Sequence, residues 1–238
     1  MPAEKAFYQR HYNGKIDAQK GIDVARVYAD LFAPGRRYHL VEKMLPELSK
    51  RDTLLELGCS SGQSVRYLAE KYQFQKSVGV DIAFEAPVVM SGPPAVEFMA
   101  ANLNDVLPFA DGSIDLLVAM MVIEHLFDPF QAFSEIRRLL TANGVAVVNL
   151  PLVTSVKNRL RLLAGELPIT SEPFARWMNT REWDGNHLHY FSVASIHRLS
   201  AACGLKLVAT SAVGRLHRIK GLWLSALASE LTFALKRI

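Results

Sequence analysis

Apolar positions along the chain switch between helical and strand spacing. Val24, Val27, Tyr28 and Leu31 share one helical face, and Val41, Met44, Leu45 and Leu48 share a second. A short apolar run, Thr53–Leu57, then reads as a buried strand ending at Gly58. Helical spacing returns at Val65, Leu68, Ala69 and Tyr72. Ser77–Val80 and Ala95–Met99 are short strands, and Ile114–Ala119 is a strand that is apolar except for Asp115. Asp128 and Pro129 form an N-cap and first turn for a helix carrying Ala132, Phe133, Ile136 and Leu140, with Gly144 closing the connection to a strand at Val145–Leu150. Ser192 caps a helix with Ile196, Leu199 and Cys203 in phase, Gly204 ends it, and Leu205–Thr210 is a further strand.

Strands alternating with helices predict βαβ units. The expected fold is α/β: a doubly wound, mostly parallel sheet with helices on both faces. Its 238 residues suit a single domain, 1–238, with an N-terminal helical segment at 1–50. The stretch 152–188 breaks the rhythm, is longer than an ordinary connection, and reads as a cap over the site. It carries Arg159, Arg161, Trp177 and Trp183. The tail from Arg215 allows two parses: a basic-flanked amphipathic helix on a membrane surface, or a helix over Leu222–Ala228 followed by a strand with Leu231, Phe233 and Leu235. The second suits the fold better.

Half the residues are hydrophobic and the net charge is +4, with no dense basic run, so nucleic acid is not an expected partner. Cys59 and Cys203 form no CxxC pair, which argues against a disulfide framework or a cysteine zinc site, and no metal is expected. The N-terminus lacks an apolar signal core, giving a cytoplasmic expectation.

The chemistry concentrates in LLELGCSSG, residues 54–62, and VGVDI at 78–82. Gly58 and Gly62 allow close backbone approach where a strand turns into a helix. Asp81, at the end of the next strand, can accept both hydroxyls of a ribose. A dinucleotide fingerprint starting at Gly58 would need glycine where Ser60 and Gln63 stand, so a nucleotide-dependent oxidoreductase is disfavoured. Glu56 suits a cationic ligand better than a pyrophosphate.

Residues 54–62 resemble motif I of the class I S-adenosylmethionine-dependent methyltransferases, with Ser60 in place of the middle glycine. ANLNDVLPFADGSIDLLVAMMVIEHLFDP resembles the adenine loop and fourth strand of the ubiquinone/menaquinone-biosynthesis-like (type 11) branch. The resemblance implies a Rossmann-like, doubly wound, mostly parallel seven-stranded sheet with an antiparallel last strand, S-adenosylmethionine as cofactor, S-adenosylhomocysteine as product, and a cofactor site of Glu56, Gly58, Cys59, Ser60, Gly62, Asp81, Ile82, Asn102, Leu103 and Met120. Asp81 would meet the ribose, Ile82 the adenine face, Asn102 the adenine amine, and Leu103 would offer its backbone N–H. It also implies methyl transfer to a small-molecule acceptor on oxygen or carbon, with a lipid-linked acceptor attractive if the tail touches a membrane. A non-catalytic cofactor-binding module is the alternative. Candidate bases are His125, with Glu124 beside it, and His187 or His189 in NHLHYFS; His125 is preferred. Phe7, Tyr8 and Tyr12 are candidates for a lid over the cofactor, and Arg36 or Arg37 for its carboxylate. Neither the acceptor nor an oligomeric state follows from the sequence.

Overall fold

A computed structural model describes residues 22–82, 84, 88–90, 95–171 and 187–238, with 88–90 as backbone. The expectations for Phe7, Tyr8, Tyr12, Trp177 and Trp183 lie outside the described residues.

Eight strands form one sheet: β1 (Thr53–Leu57), β2 (Lys76–Asp81), β3 (Val88–Met90), β4 (Val96–Ala100), β5 (Ile114–Met120), β6 (Leu140–Pro151), β7 (Leu205–Ala212) and β8 (Glu230–Arg237). Their order is β3-β4-β2-β1-β5-β6-β8-β7. The central β4-β2-β1-β5-β6 pairings are parallel, whereas β8 inserts antiparallel between β6 and β7. The expected seven strands are present, and the eighth is β3, a three-residue antiparallel edge on β4. A run that short, between Pro87 and Gly92, carries no readable alternation.

Successive side chains of a strand point to opposite faces, so a parallel sheet covered on both sides reads as continuous apolar sequence. In β1, Leu54 packs with Val65, Leu68 and Phe98 on one face, while Leu55 packs with Leu117, Phe133 and Ile136 on the other. In β5, Leu116 and Leu117 divide in the same way. The helix Gln63–Tyr72 buries Val65, Leu68 and Ala69, and the helix Pro129–Leu139 buries Ala132, Phe133, Ile136 and Leu139. Asp128 caps the latter, accepting from the N–H groups of Phe130 and Gln131 at 2.8 and 3.2 Å.

Three details differ from the sequence expectation. Leu140 is the first residue of β6 rather than the last inward position of the helix. Gly144 lies within β6, in a bulge between the Ile114↔Leu140 and Leu116↔Val145 pairings; a Cβ there would sit 2.7 Å from the Ile114 carbonyl oxygen, which explains the glycine. In the N-terminal segment the α-helix covers only Val24–Val27, and a π-turn over Tyr28–Phe32 follows. That turn shifts the phase, so Val27 and Phe32 are buried while Val24 and Tyr28 are 45% and 37% exposed. The tail takes the favoured parse: short helices at His217–Leu222 and Leu224–Leu227 precede β8, which buries Leu231–Leu235. No described helix is long and apolar enough to cross a membrane.

Candidate active site

The chain runs outward from β1 through β2 to β4, then returns to β5 on the other side of β1. The carboxyl ends of β1, β2, β4 and β5 therefore meet at the reversal of strand order, where open α/β sheets bind ligands. The turn after β1 is built there. The N–H groups of Gly58 and Cys59 both donate to the Val80 carbonyl, at 2.8 and 3.1 Å, and Gly62 N–H donates to Cys59 at 2.8 Å. Gly58, Ser60 and Gly62 all take positive φ, at 67°, 49° and 72°. A Cβ on Gly58 would press on Val122 at 2.7 Å, and one on Gly62 would clash with the edge of the Phe98 ring at 2.3 Å. Ser60 thus holds the left-handed conformation that glycine adopts without strain. Its N–H donates to Asp81 Oδ2 at 2.9 Å, which ties the turn to the end of β2.

Glu56 faces inward instead of toward a ligand. It is fully buried, and its carboxylate accepts from Tyr38 Oη at 2.5 Å, from Ser64 Oγ at 2.7 Å and from the Val65 N–H. The start of the helix at Gln63 is therefore held from beneath by the Glu56 carboxyl, through Ser64 and the Val65 N–H. Burial pushes the Glu56 carboxyl up to about 7, opposed by those hydrogen bonds. Tyr38 and Ser64 had no sequence signal, because neither lies in the motif's glycine pattern. Cys59 is buried and burial raises its thiol pKa, so it fills space against Gly79.

Ile82 is half-buried after β2, and Met120 is buried at the end of β5. Asn102 and Leu103 lie in the loop after β4. Asn102 Oδ1 accepts from both the N–H and Nδ2 of Asn104, at 3.0 Å each. Asn104 in turn accepts from Phe127 N–H at 2.7 Å, joining the loop after β4 to the loop after β5. Arg37 forms a two-pronged ion pair with Glu230 at 2.8 and 2.9 Å, rather than turning to the glycine turn.

Past β5, Met121 takes a positive φ of 54° and its N–H donates to the Asn149 carbonyl. The chain then folds into a short 3-10 turn, Ile123–His125. Leu188 N–H donates to the Glu124 carbonyl at 2.8 Å, which brings NHLHYFS alongside. His125 and His187 meet edge to face with ring centroids 4.9 Å apart. Their Nε2 atoms lie 4.0 and 3.9 Å from Glu124 Oε1. The Glu124 side chain is fully buried, both its oxygens lack a hydrogen-bond partner, and burial pushes its carboxyl up to about 8. His189 stands apart, with Nε2 3.2 Å from the Phe127 carbonyl oxygen. Of the two histidines weighed from NHLHYFS, His187 joins Glu124 and His125. In the described part of 152–188, Arg159 bonds the Thr154 carbonyl and Arg161 pairs with Glu166.

These residues fit S-adenosylmethionine. Asp81 is half-exposed at the strand end, next to a helix start with no side-chain cap, and a loop with backbone donors follows β4. A methyltransferase-domain model matches residues 55–148, which include every one of these strand ends. The chain is 33% identical over 172 residues to a Mycobacterium tuberculosis protein named as a probable S-adenosylmethionine-dependent methyltransferase, covering 71% of this chain. It spans 57% of that relative's length. Trans-aconitate 2-methyltransferase of an Azoarcus species is 33% identical over 100 residues, 42% of this chain and 39% of its own length. Among solved structures, an S-adenosylmethionine-dependent methyltransferase from Mesorhizobium loti superposes with a TM-score of 0.60 at 14% identity, over 84% of this chain and 97% of that one, and shares the fold. Residues 55–148 thus form a methyltransferase domain, and the chain is similar over 71% of its length to S-adenosylmethionine-dependent methyltransferases.

Proposed function

We propose that this protein binds S-adenosylmethionine across the ends of β1, β2, β4 and β5 and transfers its methyl group to a small-molecule acceptor at the Glu124–His125–His187 end. The observation that carries the reading is the bond from Ser60 N–H to Asp81 Oδ2. It joins the glycine turn and the ribose acid into one rigid element despite the serine. The bound cofactor supplies an electrophilic methyl group on a sulfonium. The chain's part is to orient, which can contribute an effective molarity of roughly 10⁵ M or more. Asp81 would accept the ribose hydroxyls, Ile82 and Met120 would flank the base, and Leu103 N–H would read its edge. Asn102 would meet the adenine amine by exchanging one of its Asn104 bonds. Gly58, Cys59 and Gly62 shape the turn, and Glu56 supports it from below. Ser60 takes a glycine-like φ of 49°, which supports cofactor binding at the turn despite the serine that, with the absence of a clear base, prompted the non-catalytic alternative.

Acceptor chemistry at oxygen or carbon suits a site whose far end is a buried carboxylate with two imidazoles. An apolar, lipid-linked acceptor draws support from the tail, where exposed Leu216, Ile219, Leu222 and Trp223 stand among Arg215, Arg218 and Lys220. Calorimetry with S-adenosylmethionine, S-adenosylhomocysteine and NADH tests the cofactor: micromolar binding of the first two, lost in Asp81→Ala, is expected. Unchanged affinity in Asp81→Ala, or binding of NADH alone, refutes the assignment.

A further inference from the structure

Glu124, His125 and His187 present one ligand atom each, and the three atoms lie within 4.8 Å of one another. Their side chains are 0%, 13% and 3% exposed. A buried carboxylate with both oxygens unbonded is a costly arrangement and asks for a partner. Arg37, whose charge is felt at Glu124, is engaged by Glu230 through both prongs of its guanidinium. Both imidazoles instead direct Nε2 at the same carboxylate oxygen, Oε1. The His187 ring is anchored from behind, with Nδ1 2.7 Å from Thr170 Oγ1, the outer-shell support that orients histidine ligands.

We infer that Glu124, His125 and His187 form a binding site for a divalent first-row transition cation at the acceptor end of the cleft. Two imidazoles and one carboxylate select Zn²⁺, Mn²⁺ or Fe²⁺ over Mg²⁺ or Ca²⁺, which prefer all-oxygen shells. Ligands at about 2.1 Å in tetrahedral array lie roughly 3.4 Å apart. The observed 3.9 and 4.0 Å to Glu124 exceed this by about half an ångström, and the histidine pair, within 4.8 Å, by at most about 1.4 Å, a closure that side-chain rotations can supply. Three protein ligands would leave a fourth tetrahedral position for a water or substrate oxygen. The open position would take an oxygen of the acceptor, a role that rests on the methyltransferase reading; the cation site itself rests on the three side chains.

The test uses the full chain, stripped with a chelator and titrated with Zn²⁺ and Mn²⁺ by calorimetry. Co²⁺ is added separately to read its visible absorption bands. S-adenosylhomocysteine affinity is measured on the same metal-free protein. Saturable binding of a single equivalent, a Co²⁺ spectrum of low coordination number, and weakening by about 10-fold or more in both Glu124→Gln and His187→Ala are expected. Glu124→Gln preserves shape, so circular dichroism and retained S-adenosylhomocysteine binding show that the variant is folded. No saturable binding, or binding equally tight in both variants, overturns the site. Loss of S-adenosylhomocysteine binding in the unsubstituted protein strikes the cofactor assignment alone, so the two failures are distinguishable.

Discussion

Glu56→Gln isolates the buried anion beneath the glycine turn. The glutamate accepts from Tyr38, Ser64 and Val65 with no exposure to solvent, and burial moves its carboxyl from an ordinary 4.5 to about 7. Below the ordinary value both the folded and unfolded chains hold the proton, so Glu56 adds no pH dependence there. As pH rises, the unfolded chain releases its proton first, and stability falls until the folded-state value near 7 is passed. At about 1.4 kcal/mol per pH unit, ionisation of Glu56 destabilises the fold by about 3 kcal/mol. Glutamine keeps an oxygen for Tyr38 and offers an N–H that Ser64 Oγ can accept, so it mimics the protonated acid. Urea unfolding of both proteins at about pH 5 and about pH 8 measures the effect, because all other titrations cancel in the difference. The variant should gain about 3 kcal/mol relative to the native protein between the two conditions. A difference that stays constant with pH refutes the account, and would mean that Glu56 is ionised under both conditions without penalty.

Three further outcomes follow from the same geometry. Ser60→Gly relieves a left-handed residue with φ of 49° and should stabilise the fold by about 1 kcal/mol, read as a higher urea midpoint with unchanged slope. Gly62→Ala places a Cβ 2.3 Å from the edge of the Phe98 ring at a φ of 72°, and should destabilise by about 3 kcal/mol while abolishing S-adenosylhomocysteine binding in calorimetry. Asp115→Leu removes the acceptor for the N–H groups of Asp52 and Thr53, at 3.0 and 3.1 Å, and should cost about 2–3 kcal/mol in thermal unfolding despite adding apolar volume; an increase in stability would show that water replaces the carboxylate.

Asp115 also shows where reading the sequence runs out. Ile114–Ala119 was legible as a strand because both faces of a central parallel strand demand apolar residues, and the one acid stood out as an exception. What the acid does depends on Asp52 and Thr53, more than sixty residues earlier, which only the β1–β5 pairing brings alongside. The same limit divides the candidate site. The glycine turn and Asp81 were readable because local backbone chemistry requires particular residues at fixed spacing. Glu56 was readable as an acid but not as a buried one, since Tyr38 covers it from a helix-capping position eighteen residues away. His187 and His189 are equivalent in sequence, and only the Leu188 N–H bond to the Glu124 carbonyl sorts them.

By itself the sequence determined the α/β class, the boundaries of the central strands, the cofactor-type turn and the alternation of the final strand. Each of these follows from local periodicity, capping and φ preferences, which act over a few residues. The tertiary structure alone decided the strand order, the phase shift at Tyr28–Phe32, the inward turn of Glu56 and the meeting of Glu124 with two histidines from separate segments. Those depend on which distant groups share a low-dielectric interior, and no spacing along the chain encodes that.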